Sequence, residues 1–149
     1  MNENEAPPPS GFDLGHIDVR GDRGEASSRS HTPDQAMMIY LSLTLLMDGL
    51  RRFLTGWGRS FTTSAVDSSF SLTFRRGKDG SIETVYDGMV IDRSSAADLA
   101  SAVHAGAERF EKPRLPLLPG DDAGREDLEK SLADFGNFAA RLPRRNAGE

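Results

Sequence analysis

The residue types that perform acid–base, nucleophilic or metal chemistry are scarce in this chain of 149 residues. It has no cysteine, and its only histidines are His16, His31 and His104. No two of these are three or four residues apart, and no HExxH or facial-triad spacing surrounds them, so the pattern of a zinc or iron site is missing. The sequence therefore predicts no catalytic residue, no metal ligand set and no cofactor.

The glycine-rich stretches also lack the spacing that phosphate binding needs. They lie at 21–24, 56–58 and 77–80, and none matches GxGxxG or GxxxxGK[ST]. The net charge is −5, from 23 acidic and 18 basic side chains, which disfavours nucleic acid because phosphate affinity comes from clustered Lys and Arg. The longest apolar run, 36–47, is shorter than the roughly 20 residues of a membrane span. We expect neither nucleic acid nor a membrane as a partner.

One group of side chains is typical of a protein interface. Trp57 is the only tryptophan and stands between two glycines. Arginines lie close to it in sequence and across the predicted sheet, and both residue types are enriched at interface hot spots. The predicted partner-binding residues are Trp57, Arg51, Arg52, Arg59 and Arg75.

A second group would line a pocket between the longest helix and the sheet. His16 lies beside Asp18 at a proposed β-bulge, and bulges can aim a side chain into a site. The predicted pocket residues are His16, Asp18, Tyr40, Asp67 and Tyr86. Convergence of two or more of them in one cavity, with a perturbed pKa, is the observation that would support a ligand site.

The elements that must position these side chains begin with a β-hairpin. Residues 12–20 alternate in polarity, but the phase slips at Gly15–His16, where a bulge would restore a single apolar face. Residues 21–24 predict a turn, and 25–30 predict a polar strand at a sheet edge.

The segment Thr32-Pro33-Asp34-Gln35 predicts the start of a long helix. It offers a hydroxyl at the N-cap, proline at the first helical position and glutamine two residues later, which is a capping box. We expect this helix to run to about Leu54, to be deeply buried in its first half, and to end at Gly56.

From Ser60 the apolar period changes to two, which predicts an antiparallel meander. Its strands are expected at 60–67, 70–75, 82–86 and 89–91. The inward face of the first strand is ambiguous, because both parities carry residues of mixed polarity.

Two helices are expected to follow the meander. Ser94 or Ser95 would cap the first of them, and Asp121 or Asp122 the second. Three prolines between them, at 113, 116 and 119, predict an extended crossing segment.

These elements predict an α+β fold, with an antiparallel sheet (the N-terminal hairpin plus the meander) packed against a long helix and two further helices C-terminal to it. We expect a single domain over 11–142. Residues 1–10 predict a disordered leader because they are polar and hold three consecutive prolines, and 143–149 predict a disordered tail.

The sequence favours a non-catalytic protein-binding module in the cytoplasm, of the kind represented by bacterial immunity or adaptor proteins. Its partner would be another protein. The alternative is a small-ligand-binding protein or small enzyme that uses the predicted pocket. A homodimer formed through the polar hairpin strand or the meander edge is a further option.

Overall fold

The computed structural model describes residues 10–29, 35–56 and 58–143. His31, most of the predicted capping box, Trp57 and nearly all of the predicted leader and tail lie outside these ranges. Within them the α+β class is confirmed, with antiparallel sheets, an N-terminal hairpin and a four-stranded meander.

The N-terminal residues form two small antiparallel pairs instead of one bulged hairpin. Strand β1 (Leu14–Gly15) pairs with β4 (Met37–Met38), whereas β2 (Asp18–Arg20) pairs with β3 (Glu25–Ser27). The expected bulge at Gly15–His16 is therefore wrong: the chain leaves one sheet there and enters another. No single apolar face had to be restored, because Leu14 is 61% exposed.

The long helix, α1 (Ile39–Thr55), starts later than the capping box predicts. Residues that the box would make helical form β4, and the N-cap residue is Met38, which makes no side-chain cap bond. The Met38 amide donates to the Val66 carbonyl at 3.0 Å, and the Ile39 amide donates to the Asp13 carbonyl at 3.3 Å. Carbonyls that are distant in sequence thus bond the backbone at the start of α1, where no side chain caps the helix. The end of α1 agrees with the prediction.

The meander is a continuous sheet in which consecutive strands are neighbours. Its strands are β5 (Ser60–Ser64), β6 (Ser71–Arg76), β7 (Ile82–Tyr86) and β8 (Met89–Ser94). Both residues of the Asp87–Gly88 turn have positive φ, 50° and 78°, as a type I′ hairpin requires. The inward face of β5 carries Phe61 and Thr63, and Phe61 stacks on Phe74 of β6 at 6.2 Å between ring centroids.

The C-terminal helices are α2 (Ala96–Arg114) and α3 (Ala123–Arg141), joined by a 3₁₀ turn at Leu115–Leu117. Their predicted N-caps are confirmed: Ser95 accepts from the Asp98 amide and Asp122 from the Arg125 amide. The extended crossing is wrong, because Pro113 lies in the last turn of α2 and Pro116 in the 3₁₀ turn. A proline at a helix end forfeits only one backbone bond, and burial of the flanking leucines, Leu115 and Leu118, offsets that loss.

Helix α1 lies at the centre of the core. It packs against α3 on one side and near β5 on another, and α2 packs on α3. Met47 and Leu50 of α1 are fully buried, as are Leu128 and Phe135 of α3. Among the described residues, no helix is long and apolar enough to cross a membrane.

Candidate functional site

The predicted partner-binding arginines do not form one patch. Arg51 and Arg52 line a shallow groove of about 560 Å³ between the C-terminal halves of α1 and α3, together with Arg141. Arg59 is exposed just before β5. Arg75 lies on the outer face of the sheet, where its Nε donates to Glu83 at 2.8 Å. Trp57 lies outside the described residues, so its contribution stays a prediction.

Glu83 is the carboxylate that pairs with the arginines on that outer face. Its carboxylate accepts from Arg75 and, at 2.7 Å, from Arg93 on the opposite neighbouring strand. Hydrogen bonds from these two guanidinium groups hold the pKa of Glu83 below its usual value. Arg75 is therefore engaged within the sheet, and it is a weaker candidate for a partner contact than Arg52 or Arg59.

The predicted pocket residues are brought together only in part. His16 and Asp18 line a cleft of about 790 Å³ beside β2, whereas Tyr40, Asp67 and Tyr86 do not line it. Tyr40 is 3% exposed and packs edge-on against Phe110 at 5.2 Å. Asp67 lies in the turn after β5, with φ of 60°. Tyr86 packs against Phe70.

His16 contacts a serine hydroxyl, but Ser28 is fully buried and also bonds the Ile17 backbone, so this pair is not placed to attack a substrate. The His16 Nδ1 lies 2.9 Å from the Ser28 hydroxyl, which also accepts from the Ile17 amide. Asp18 instead bonds Ser27 and Arg29, and these hydrogen bonds lower the pKa of Asp18. No group of three or more His, Cys, Asp or Glu side chains placed to hold a metal occurs in the described part of the chain.

Within the part of the chain that the structure describes, no strand pairs with the outer edge of β5, which we call its open edge. The Arg76 amide donates to the Arg59 carbonyl just before β5, and the Ala65 amide donates to the Phe70 carbonyl just after it, both at 2.9 Å. Because hydrogen-bonded pairs alternate along an antiparallel ladder, every second residue of β5 directs its N–H and C=O away from β6. These residues are Ser60, Thr62 and Ser64.

Two exposed leucines of α1 lie on the same side of the molecule as this edge. Ser42 accepts from the Val66 amide at 3.0 Å, and Gly49 lies against the Phe61 ring, so α1 runs alongside β5. Leu45 lies between these two contacts on the helix surface and is 46% exposed, and Leu41, one turn earlier, is 36% exposed. We call Ser60, Thr62, Ser64, Leu41 and Leu45 the β5 edge surface.

The cleft beside β2 is a second candidate site, which we call the β2 cleft. Its floor comes from one face of α1 and one face of α2, and the apolar residues there are Ile39, Leu43, Leu46, Leu99, Val103, Ala107 and Phe110. One wall is the five-residue run His16–Arg20. The other polar residues that line it are Thr84 of β7, Asp92 and Ser94 of β8, and Asp98 and Arg109 of α2.

Comparison of the chain with protein-family models, with curated proteins and with solved structures finds no match. The functional argument therefore rests on the geometry of these two sites.

Leu41 and Leu45 were missed in the sequence because they lie inside the apolar run 36–47. In that run, exposed and buried leucines are flanked by the same types of residue, so the sequence pattern does not distinguish the two. The edge position of β5 carries no local signal, since its residues are all uncharged and include no proline, whereas lysine and proline are what usually mark an edge strand.

Proposed function

We propose that the protein is a non-catalytic protein-binding module that holds a partner protein at the β5 edge surface by adding a strand of the partner to the sheet. The observation that carries this proposal is an open, uncharged strand edge that lies beside exposed leucines of the helix beneath it.

Natural sheet edges are usually protected by lysine, proline, a bulge or a covering segment. The five residues of β5, Ser-Phe-Thr-Thr-Ser, include no charge and no proline. Its ladder with β6 has an unbroken register. Within the described ranges, no strand pairs with the edge of β5 from Ser60 to Ser64. Such an edge is suited to accept a further strand, because the added backbone satisfies its free N–H and C=O groups.

The exposed leucines explain how such a partner gains affinity beyond backbone bonding. A strand added to β5 would lie about 4.8 Å beyond it. Its inward-facing side chains would then cover Leu41 and Leu45, which are otherwise open to water. Burial of apolar area contributes roughly 25 cal/mol per Å².

Arg52 and Arg59 lie near the end of this surface and favour a partner with acidic side chains there. The immunity- or adaptor-type role and the cytoplasmic setting are the finer form of the proposal, and they rest on composition alone.

The small-ligand alternative keeps some support, because His16 and Asp18 both line the β2 cleft. It is the weaker proposal, because Asp18 is already bonded to Ser27 and Arg29 and the other three predicted residues lie outside the cleft.

Site-specific photo-crosslinking in cells of the source organism tests the proposal. The full-length chain carries p-benzoyl-phenylalanine in place of Leu45, and a matched control carries it in place of Leu117, which is 64% exposed in the 3₁₀ turn. We expect one dominant crosslinked protein at position 45 that is absent at position 117. A partner that is a second copy of this chain would appear as a crosslinked dimer. Identical products at both positions would contradict the proposal.

A further inference from the structure

We propose that the β2 cleft is a groove for an extended peptide of about five residues, which adds a strand to the open edge of β2. The β2 cleft and the β5 edge surface share no residue, so this inference stands or falls independently of the proposed function.

The first argument is the orientation of β2. The Gly21 amide donates to the Gly24 carbonyl at 2.9 Å, and the Ser28 amide donates to the Ile17 carbonyl at 3.1 Å. Pairs that are hydrogen-bonded alternate with pairs that are not along an antiparallel ladder. These two bonds show which pairs are bonded, so Asp18 and Arg20 direct their backbone N–H and C=O away from β3.

The second argument is that this free edge faces the cleft. All five consecutive residues from His16 to Arg20 line it. Successive side chains of a strand point to opposite faces, so a cavity on one face would be lined by every second residue only. Consecutive residues line the same cavity only when the edge of the strand faces it. Among the described residues, no other strand pairs with this edge of β2.

The wall opposite β2 allows a backbone to approach closely. It is formed by α2, where Ala102 and Gly106 line the cleft. At Gly106 the nearest atom to an added Cβ would be the Arg109 guanidinium at 4.0 Å, so the space in front of this helix face is open. The apolar floor below suits alternate side chains of an extended segment.

The dimensions of the two walls agree with each other. Five residues of extended chain along His16–Arg20 span about 16 Å at roughly 3.3 Å per residue. The lining segment of α2, from Asp98 to Phe110, spans about 18 Å at 1.5 Å per residue.

The charges at the two ends give the peptide a direction. The Asp22 amide donates to Asp92, which places the Arg20 end of β2 beside Asp92 and the first turn of α2 with Asp98. Arg20 also lines the cleft at this end, so the two carboxylates leave one net negative charge there.

Arg109 lies three turns further along α2. Its neighbour Phe110 packs against Tyr40 at the start of α1, and the Ile39 amide there bonds the Asp13 carbonyl just before β1, so Arg109 lies towards the His16 end. Antiparallel pairing is the more stable arrangement, so the bound peptide carries a basic residue at its N-terminal end and an acidic residue at its C-terminal end.

The test uses the full-length protein and the peptide acetyl-Lys-Val-Thr-Val-Glu-amide, with binding followed by NMR chemical-shift perturbation and calorimetry. We expect saturable binding of one peptide per chain, with shifts centred on β2 and α2. The sequence-reversed peptide, acetyl-Glu-Val-Thr-Val-Lys-amide, is expected to bind about three- to tenfold more weakly. Equal or tighter binding of the reversed peptide overturns the proposed direction, and no saturable binding of either overturns the groove.

Two pairs of variants separate the groove from nonspecific binding. Gly106→Leu fills the space before α2 and raises helix propensity, so it should fold and lose at least about tenfold in affinity. Its control, Ala105→Leu, changes an exposed neighbour outside the cleft and should bind normally. Arg20→Pro removes the backbone donor that faces the cleft, whereas Arg20→Ala keeps it, so only the proline variant should lose about three- to tenfold. Equal affinities within either pair would overturn the proposal.

Discussion

The strand edges of β5 and β2, two of the sheet edges in the described residues, offer the same backbone groups in different surroundings. The edge of β5 is uncharged and lies beside the exposed leucines Leu41 and Leu45. The edge of β2 is recessed in a cleft whose ends carry Asp98 and Arg109. Free backbone groups let a strand bind at either edge. The side chains around each edge determine which strand binds there. A broad surface suits a folded partner, and a groove with charged ends suits a short peptide of defined direction.

The largest expected effect distinguishes the buried and open faces of α1. Leu50 is 0% exposed, so Leu50→Ala should lower the free energy of unfolding by about 2–5 kcal/mol through lost burial and a cavity. Leu45→Ala should change it by no more than about 0.5 kcal/mol, because Leu45 is half open. Urea denaturation of dilute protein measures both. A loss at Leu45 as large as that at Leu50 would mean that Leu45 is covered within the chain.

The second-largest effect tests which residues of β5 direct their backbone N–H and C=O groups to the open edge. Thr63 pairs with Leu72 within the ladder, so Thr63→Pro should cost about 1–3 kcal/mol by leaving a backbone acceptor unpaired. Thr62 directs its N–H away from β6, so Thr62→Pro should cost clearly less. Thermal unfolding measures the loss of stability in both variants. A larger loss for Thr62→Pro than for Thr63→Pro would show that Thr63, not Thr62, directs its N–H to the open edge.

Two glycine-to-alanine changes should have opposite signs at the two sites. A Cβ at Gly49 would overlap the Phe61 ring beneath β5, so Gly49→Ala should destabilise by about 1–3 kcal/mol. Gly106 faces the open cleft from within α2, so Gly106→Ala should stabilise by about 0.5–1 kcal/mol. Denaturant midpoints measured side by side check this, and destabilisation at Gly106 would show that the cleft is closed.

The smallest effect concerns acid stability. The pKa values of Glu83 and Asp18 are both lowered, by hydrogen bonds to Arg75 and Arg93 for Glu83 and to Ser27 and Arg29 for Asp18. Each contribution to stability is therefore complete above the unfolded pKa near 4 and is lost as the pH falls through the folded value.

Glu83→Gln should flatten the decline of stability below about pH 5 more than Asp18→Asn does. The reason is that the Glu83 side chain is 12% exposed and bonds two arginines, whereas Asp18 is 49% exposed and bonds one. Urea midpoints measured across this pH range provide the check, and a larger effect at Asp18 would contradict the comparison.

The meander was predictable because its evidence is local. Phe70, Leu72 and Phe74 alternate with polar residues, and the turn sequences Asp79-Gly80 and Asp87-Gly88 supply the positive φ that tight hairpins need. The caps of α2 and α3 were predictable for the same reason, since each capping side chain bonds an amide three residues away.

The start of α1 and the two candidate sites depend on contacts between distant residues. The Val66 carbonyl that binds the Met38 amide is far away in sequence, so local capping chemistry predicted the wrong helix start. The sequence placed His16 and Asp18 in a pocket, and they do line one, but Ser94 and Gly106 reach the same cleft only through packing of β8 and α2.

Amide hydrogen exchange, measured residue by residue by NMR, tests most directly whether β5 is an open edge that receives a partner strand. In the isolated monomer, the amides of Thr62 and Ser64 should exchange much faster than those of Phe61 and Thr63. In a complex with the protein captured at Leu45, Thr62 and Ser64 should become protected. Equal protection of all four amides in the monomer, or unchanged exchange of Thr62 and Ser64 in the complex, would contradict the account.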